Sequence, residues 1–218
     1  MKFILNASNT FCISLDSKKD RWYRMQRRFQ YLDMEVTKWH ASTVNEIVDI
    51  FNPSIPGRML RNTEMACAQS HIHIWKHMIS HQITYALILE DDACFDKKWK
   101  HKLESFDTHQ PWHILLLNAL GPSYPYFQWN RCQSQWLAGG YLLHINGAKL
   151  LLEMFEDNFT ITDIMTRKLQ QVGYAYTYFP WLIIQEGIDS DNGNDSMYYL
   201  CKSLEYLHSI DYKIHHYI

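Results

Sequence analysis

Residues 85–95 read YALILEDDACF, an oily run that passes without transition into three carboxylates, Glu90, Asp91 and Asp92. The apolar part is short and unbroken, the pattern of a strand buried on both faces. Adjoining acids repel one another, which raises the cost of ionising them and poses the question of what holds them there.

Outward from this stretch, strand-like and helix-like segments alternate. FCISL (11–15) is a second short apolar run, and EVTKWHAS (35–42) a third strand. Between them Trp22, Met25, Phe29 and Leu32 recur at steps of three and four, one face of a helix, with Lys18, Lys19, Arg21, Arg24, Arg27 and Arg28 on the other. FNPSIPG (51–57) reads as a loop from its two prolines and glycine. Residues 63–81 form a long helix with Ala68, Ile72, Trp75 and Ile79 inward, and WHILLLN (112–118) is another buried strand. WLAGGYLLHINGAKLLLEMF (136–155) divides into a strand, a turn at Asn146-Gly147 and a helix; ITDIMTRKLQQVG (161–173) is a further helix ending at Gly173. YAYTYFPWLIIQ (174–185) is strand-like on both sides of Pro180. Such alternation predicts an α/β fold, a mostly parallel, doubly wound sheet covered by helices. Ligands of such sheets sit beyond the carboxyl ends of the strands, where Glu90 to Asp92 fall.

Composition narrows the class. With 218 residues, 47% of them hydrophobic and 15% aromatic, the chain can bury one sizeable core and is not disordered. A net charge of −2 gives no electrostatic reason to expect a nucleic-acid partner. Cys12, Cys67, Cys94, Cys132 and Cys201 are odd in number and scattered, which reads as reduced thiols in a cytoplasmic protein. The apolar run at the start is too short for a signal peptide and no stretch is long enough to span a bilayer; the sequons at Asn6, Asn158 and Asn194 are then expected to be unused. Residues 1–195 are expected to form the main domain and 196–218, amphipathic at Leu200, Leu204 and Leu207, a helical tail packed on it or extending from it.

Three readings of the acidic triplet compete. It can cap a following helix as a solvated turn. It can be the acidic pocket of a receiver domain, although Asn118 stands where the phosphoacceptor Asp belongs and about 80 residues precede the strand. Or it can hold Mg²⁺ or Mn²⁺ for a sugar nucleotide, the carboxylates being hard oxygen ligands and the cation bridging them to a diphosphate they would otherwise repel. Glu90 and Asp92 occupy the outer positions of an acid-x-acid signature, and on an extended segment their side chains would point the same way.

Neighbouring motifs favour the last. CISLDSKKDRW (12–22), EMACAQSHIHIWKHM (64–78), LILEDDA (87–93), GGYLLHINGAKLLLE (139–153), ITDIM (161–165) and PWLIIQ (180–185) arrive in the order found in glycosyltransferase family 25, which the chain resembles over roughly residues 11 to 190. The family includes lipooligosaccharide galactosyltransferases and collagen hydroxylysine galactosyltransferases. The resemblance implies a GT-A fold and inverting transfer of galactose or glucose from a UDP-sugar to a glycan, lipid-linked glycan or hydroxylysine acceptor. It implies that Leu15, Asp20, Arg21, Ser70, His71, Asp91 and Gln185 serve the donor, and that Asp92 and Glu90 hold Mn²⁺ or Mg²⁺. Ser70-His71 is expected to order the sheet edge or nucleotide loop. Ser14 and His113 depart from the family, which commonly has Asn and Asp there.

Inversion needs a base opposite the leaving group, and Asp163, at a predicted helix start, is the leading candidate, with Glu186, Asp189 and Asp191 in reserve. His73, His77 and His81 share a helix face without a matching carboxylate and read as solvated or hydrogen-bonded. Arg21, Arg24 and Arg28 can steer an anionic donor, make peripheral contact with an acidic membrane, or form a solvated helix face. A catalytically silent sugar-nucleotide-binding or scaffold protein of the same fold is the alternative to an enzyme.

Overall fold

In the computed structural model, which describes residues 2–47, 54–55, 58–155, 158, 160–187 and 196–218, the apolar stretch at 85–90 becomes the interior of a sheet. The elements in chain order are β1 (Thr10–Ser14), α1 (Lys19–Tyr31), β2 (Thr37–His40), β3 (Ser54–Ile55), β4 (Arg58–Met59), α2 (Asn62–Ser80), β5 (Tyr85–Glu90), β6 (Ala93–Phe95), α3 (Trp99–Glu104), β7 (Ile114–Leu116), β8 (Trp129–Arg131), β9 (Gly140–His144), α4 (Ile145–Phe155), α5 (Thr162–Val172), β10 (Ala175–Tyr178), β11 (Ile183–Gln185) and α6 (Ser196–Ser209). Seven strands form one sheet in the order β2-β1-β5-β9-β7-β10-β8. Five share a direction; β9 in the interior and β8 at one edge run against them. The expected mostly parallel α/β class is therefore what the chain forms.

Alternation along the strands builds the two outer layers. Ala86 and Ile88 of β5 pack with Phe11, Ile13, Tyr141 and Leu143 beneath α2, α4 and α5, around Trp75, Leu151 and Leu169. Leu87 and Leu89 point the other way, with Cys12, Leu115 and Leu142, toward Met25 and Phe29 of α1 and Trp99 and Leu103 of α3. Burying apolar residues on both faces is what a central strand requires, and each such side chain contributes about 1.5–3 kcal/mol.

The chain passes from β1 to β2 on one side and then crosses to β5 on the other, with α1 and α2 on opposite faces. The strand order thus reverses at β1 and β5, and a crevice opens at their carboxyl ends. Ile13 lies opposite Glu90 in the parallel ladder, so the Ser14 end of β1 and the acids of β5 share one edge.

Two local expectations change. Asn146 and Gly147 lie inside the first turn of α4 and make no turn of their own. Gly147 is there because a Cβ would stand 2.6 Å from the His113 carbonyl oxygen, so the glycine permits close helix–strand packing. β6 and β8, too short to give a period, have no counterpart in the sequence reading. Of the 51–57 loop, the described residues are Ser54 and Ile55, paired with Met59 and Arg58 in a small hairpin.

The segment after α6 returns to β6, which forms a separate two-stranded antiparallel sheet with β11. Phe95 and Ile218 exchange both backbone hydrogen bonds at 2.8 and 2.9 Å, and Leu207 and Tyr217 join Phe179, Trp181 and Ile184 in a third apolar cluster. A buried ion pair fastens this end: the Lys102 ammonium donates to Asp96 at 2.8 Å and to the Pro180 carbonyl at 3.0 Å, and the Tyr212 hydroxyl donates to the same carboxylate. Burial pulls the Lys102 ammonium below its usual value while Asp96 holds it up. No helix among the described residues is long and apolar enough to cross a membrane. Asp96→Ala leaves that ammonium buried without its counter-charge and is expected to lower stability by about 3–5 kcal/mol, whereas Tyr212→Phe should cost about 1 kcal/mol. Urea unfolding measures both; equal, small losses would contradict this account of the anchor.

Candidate active site

β5 ends at Glu90, and Asp91 and Asp92 form the turn into β6. The extended geometry expected for all three acids thus ends at Glu90, and strand end and turn together bring Glu90, Asp91 and Asp92 to a cavity of about 480 Å³ at the switch point. Leu15 and Lys18 enter from the β1–α1 connection, Arg21 from the first turn of α1, Cys67 and Ser70 from α2, Asp163 from α5 and Gln185 from β11. Eight of the ten residues expected at the site, namely Leu15, Arg21, Ser70, Glu90, Asp91, Asp92, Asp163 and Gln185, line this space. His71 stands directly behind it, fully buried, while Asp20 is exposed on the first turn of α1 and is not part of the wall.

Each acid is held differently. Asp91 is ion-paired with Arg21, both largely buried. Glu90 faces α2, with Oε1 3.3 Å from Nε2 of His71 and 3.8 Å from Sγ of Cys67. Burial alone would push the Glu90 carboxyl up; the hydrogen bond and charge of His71, with Arg21, outweigh it and hold the group below its usual value. Asp92 has no such cation paired with it among the described residues. The Gln185 amide donates to its Oδ2 at 3.4 Å, and Oδ1 is buried with no hydrogen-bond partner among the described residues. Burial first, then the charges of Glu90, Asp91 and Glu186, push Asp92 up to about 7, against the pull of Arg21.

Asp163 sits on the first turn of α5, where its carboxylate accepts the backbone N–H groups of Leu137 and Ala138. Leu137 has a φ of 79°, a left-handed conformation costly for a branched side chain, as expected for a backbone bent to serve a site. Burial and Glu90 nevertheless raise Asp163 to about 7.

The remaining expected residues sort by contact. Ser70 accepts the Ser42 N–H at 2.8 Å and donates to Ala66, pinning the loop after β2 to α2. Glu186 is clasped by Arg24 at 3.3 Å and Arg28 at 3.0 Å, which removes it from the reserve of bases and accounts for two of the helix arginines. Asp189, Asp191 and Asn194 lie outside the described residues. His77 packs at a tilt against the rings of Trp39 and His81, outside the cavity wall. Sequence reasoning missed Lys18, Cys67 and Glu64 as wall residues, and Tyr141 and Trp75 as the supports of His71. Cys67 carried a signal, since it precedes His71 by one helical turn.

The donor set fits a hard divalent cation. Among the described residues, five carboxylates in the wall (Glu64, Glu90, Asp91, Asp92, Asp163) face two cationic side chains, Lys18 and Arg21, and Asp92 offers an unsatisfied buried oxygen.

The fold and cavity define the class: an α/β sandwich whose candidate active site is an acidic cleft at the switch point of its sheet. The chain belongs to glycosyltransferase family 25, described as LPS biosynthesis protein, whose family model matches residues 7–131. It is 28% identical over 124 residues to mouse procollagen galactosyltransferase 2, an alignment covering 49% of this chain and 20% of that protein. It is 26% identical over 168 residues to a putative glycosyltransferase of Haemophilus influenzae, covering 69% and 59%. A solved glycosyltransferase involved in glycosylation of the major capsid of PBCV-1 aligns over 88% of this chain and 98% of its own at 8% identity and a TM-score of 0.38. The chain thus spans less than two thirds of these curated relatives.

Two carboxyls that titrate near 7 when folded and near 3.8 in an ordinary setting make the native state bind more protons than the unfolded chain between those values. Without a divalent cation, stability should therefore fall as pH rises from about 4 to about 7, by up to about 4 kcal/mol per carboxyl. Asp92→Asn in EDTA is expected to raise the melting temperature at pH 8 and change it little at pH 4.5. A lower melting temperature at pH 8 would contradict this electrostatic reading.

Proposed function

We propose that the chain carries a metal-dependent, inverting hexosyltransferase site that moves galactose or glucose from a UDP-sugar to the hydroxyl of a glycan, lipid-linked glycan or hydroxylysine acceptor. The observation that carries the reading is the pairing, in one cavity, of an acid wall led by Asp92 with a separate carboxyl, Asp163, poised near neutral pH. Family membership and the volume of the cavity, in the range used for small ligands, support it.

A diphosphate brought bare to this wall meets repulsion, so Asp92, with Glu90 directly or through water, would hold Mn²⁺ or Mg²⁺. That ion, when bound, neutralises charge on the departing diphosphate. Lys18 and Arg21 add positive charge on the same side, Arg21 already oriented by Asp91. Asp163 takes the proton of the acceptor hydroxyl as that oxygen bonds to the anomeric carbon and the bond from that carbon to the diphosphate oxygen breaks. A carboxyl near 7 is half ionised at neutral pH and still basic enough to accept a proton, the balance a general base needs. Gln185, hydrogen-bonded to Asp92, faces the donor, beside Gly139, whose missing side chain leaves room next to the amide.

Transfer from UDP-galactose or UDP-glucose, followed by UDP release with and without Mn²⁺, tests the reading. Asp163→Asn should lower kcat about 10²- to 10⁴-fold and leave the UDP–Mn²⁺ melting shift intact. Wild-type kcat should rise with pH through about 7. Asp92→Asn should abolish the Mn²⁺-dependent part of the melting shift. A wild-type melting shift without turnover on any donor would instead favour a silent sugar-nucleotide-binding protein.

A further inference from the structure

Cys67 and His71 are one turn apart on α2 and face Glu90 across the back of the cavity. Their ligand atoms and a Glu90 oxygen all lie within 4.8 Å of one another. Two edges of this triangle are 3.3 Å, Nε2 to Oε1, and 3.8 Å, Sγ to Oε1. Ligand atoms of a tetrahedral zinc ion stand about 3.3–3.6 Å apart, from Zn–N and Zn–O bonds near 2.0 Å and Zn–S near 2.3 Å. Those two edges lie within about a few tenths of an ångström of these separations, and the third, Sγ to Nε2, is no longer than 4.8 Å.

The far side of the imidazole is also prepared. Nδ1 of His71 lies 2.8 Å from the Tyr141 hydroxyl, which accepts the Trp75 indole N–H at 3.0 Å. His71, Trp75 and Tyr141 are all fully buried, so the ring is fixed in orientation. A histidine ligand held through its second nitrogen by a buried oxygen is the arrangement that protein zinc sites use to orient the ring.

We propose that Cys67, His71 and Glu90 form a second cation site, specific for a thiophilic divalent ion such as Zn²⁺ and distinct from the all-oxygen position at Asp92. Thiolate and imidazole select such ions over Mg²⁺ and Mn²⁺. Three protein ligands leave one position for water or a ligand in the cavity. Loading releases the Cys67 thiol proton to solvent, and binding through Nε2 leaves the imidazole N–H at Nδ1, where it donates a hydrogen bond to the Tyr141 hydroxyl. Glu90 belongs to both positions, so zinc here competes with the hard cation. That consequence rests on the proposed transferase reading; the site itself does not.

Cobalt(II) tests the site without reference to turnover. One equivalent added to the reduced full chain should give a thiolate-to-cobalt charge-transfer band in the near ultraviolet and strong visible bands of four-coordinate cobalt. One equivalent of Zn²⁺ should bleach both. Cys67→Ser should lose the ultraviolet band, and the Cys94→Ser/Cys201→Ser double variant, which keeps Cys67, should retain it at full strength. The double variant keeps the test decisive even if Cys67→Ser does not fold. Absence of the band in the wild type, its survival in folded Cys67→Ser, or its loss in the folded double variant overturns the proposal. A bound zinc that leaves Mn²⁺-dependent transfer untouched would remove only the competition.

Discussion

The crowding of carboxylates at the end of a buried strand governs this molecule. β5 is enclosed on both faces, so the backbone that carries Glu90, Asp91 and Asp92 cannot drift toward water to relieve their repulsion. Each acid reaches a separate settlement: Asp91 with Arg21, Glu90 with His71, and Asp92 with a single amide that leaves one oxygen without a partner among the described residues. The strain therefore collects at Asp92. On the proposed function, cation binding would release a cost already built into the fold, which is how a site can be kept ready at the expense of stability.

The scaffold around the acids is tied from two directions. Arg24 and Arg28 of α1 grip Glu186 just beyond β11, which closes the wall behind Gln185. On the other side of β6, Lys102, Asp96 and Tyr212 fix the last residues of the chain beside Phe95. β6 follows the acidic turn directly, so this anchor also limits how far Asp91 and Asp92 can move. Buried ion pairs of this kind add little net stability and are costly to break singly, so they serve position more than strength.

Much of this was legible in the sequence because it rests on local pattern. A five-residue apolar run needs no context to read as a buried strand, and the acids after it fall at a strand end by simple counting. Asp163 and Arg21 were likewise reached through motifs. What escaped depends on contacts between distant segments. Nothing near Asn146-Gly147 says that His113 will press on the glycine, and a three-residue strand such as β6 has no period to detect. The arginine stripe looked like a solvated face because Arg24 and Arg28 meet their acid more than 150 positions away in sequence. Asp20 matched a motif position and still faces outward, since a helix presents adjacent residues in different directions.

The central claim is that Asp92 and a divalent cation together hold the diphosphate of a sugar nucleotide. Crystals grown with UDP and Mn²⁺, measured for anomalous scattering from manganese, test it most directly. The account predicts a manganese peak bonded to an Asp92 oxygen and to oxygens of the diphosphate. UDP bound in the cavity with no manganese at Asp92, or manganese held there with the nucleotide elsewhere, would contradict it.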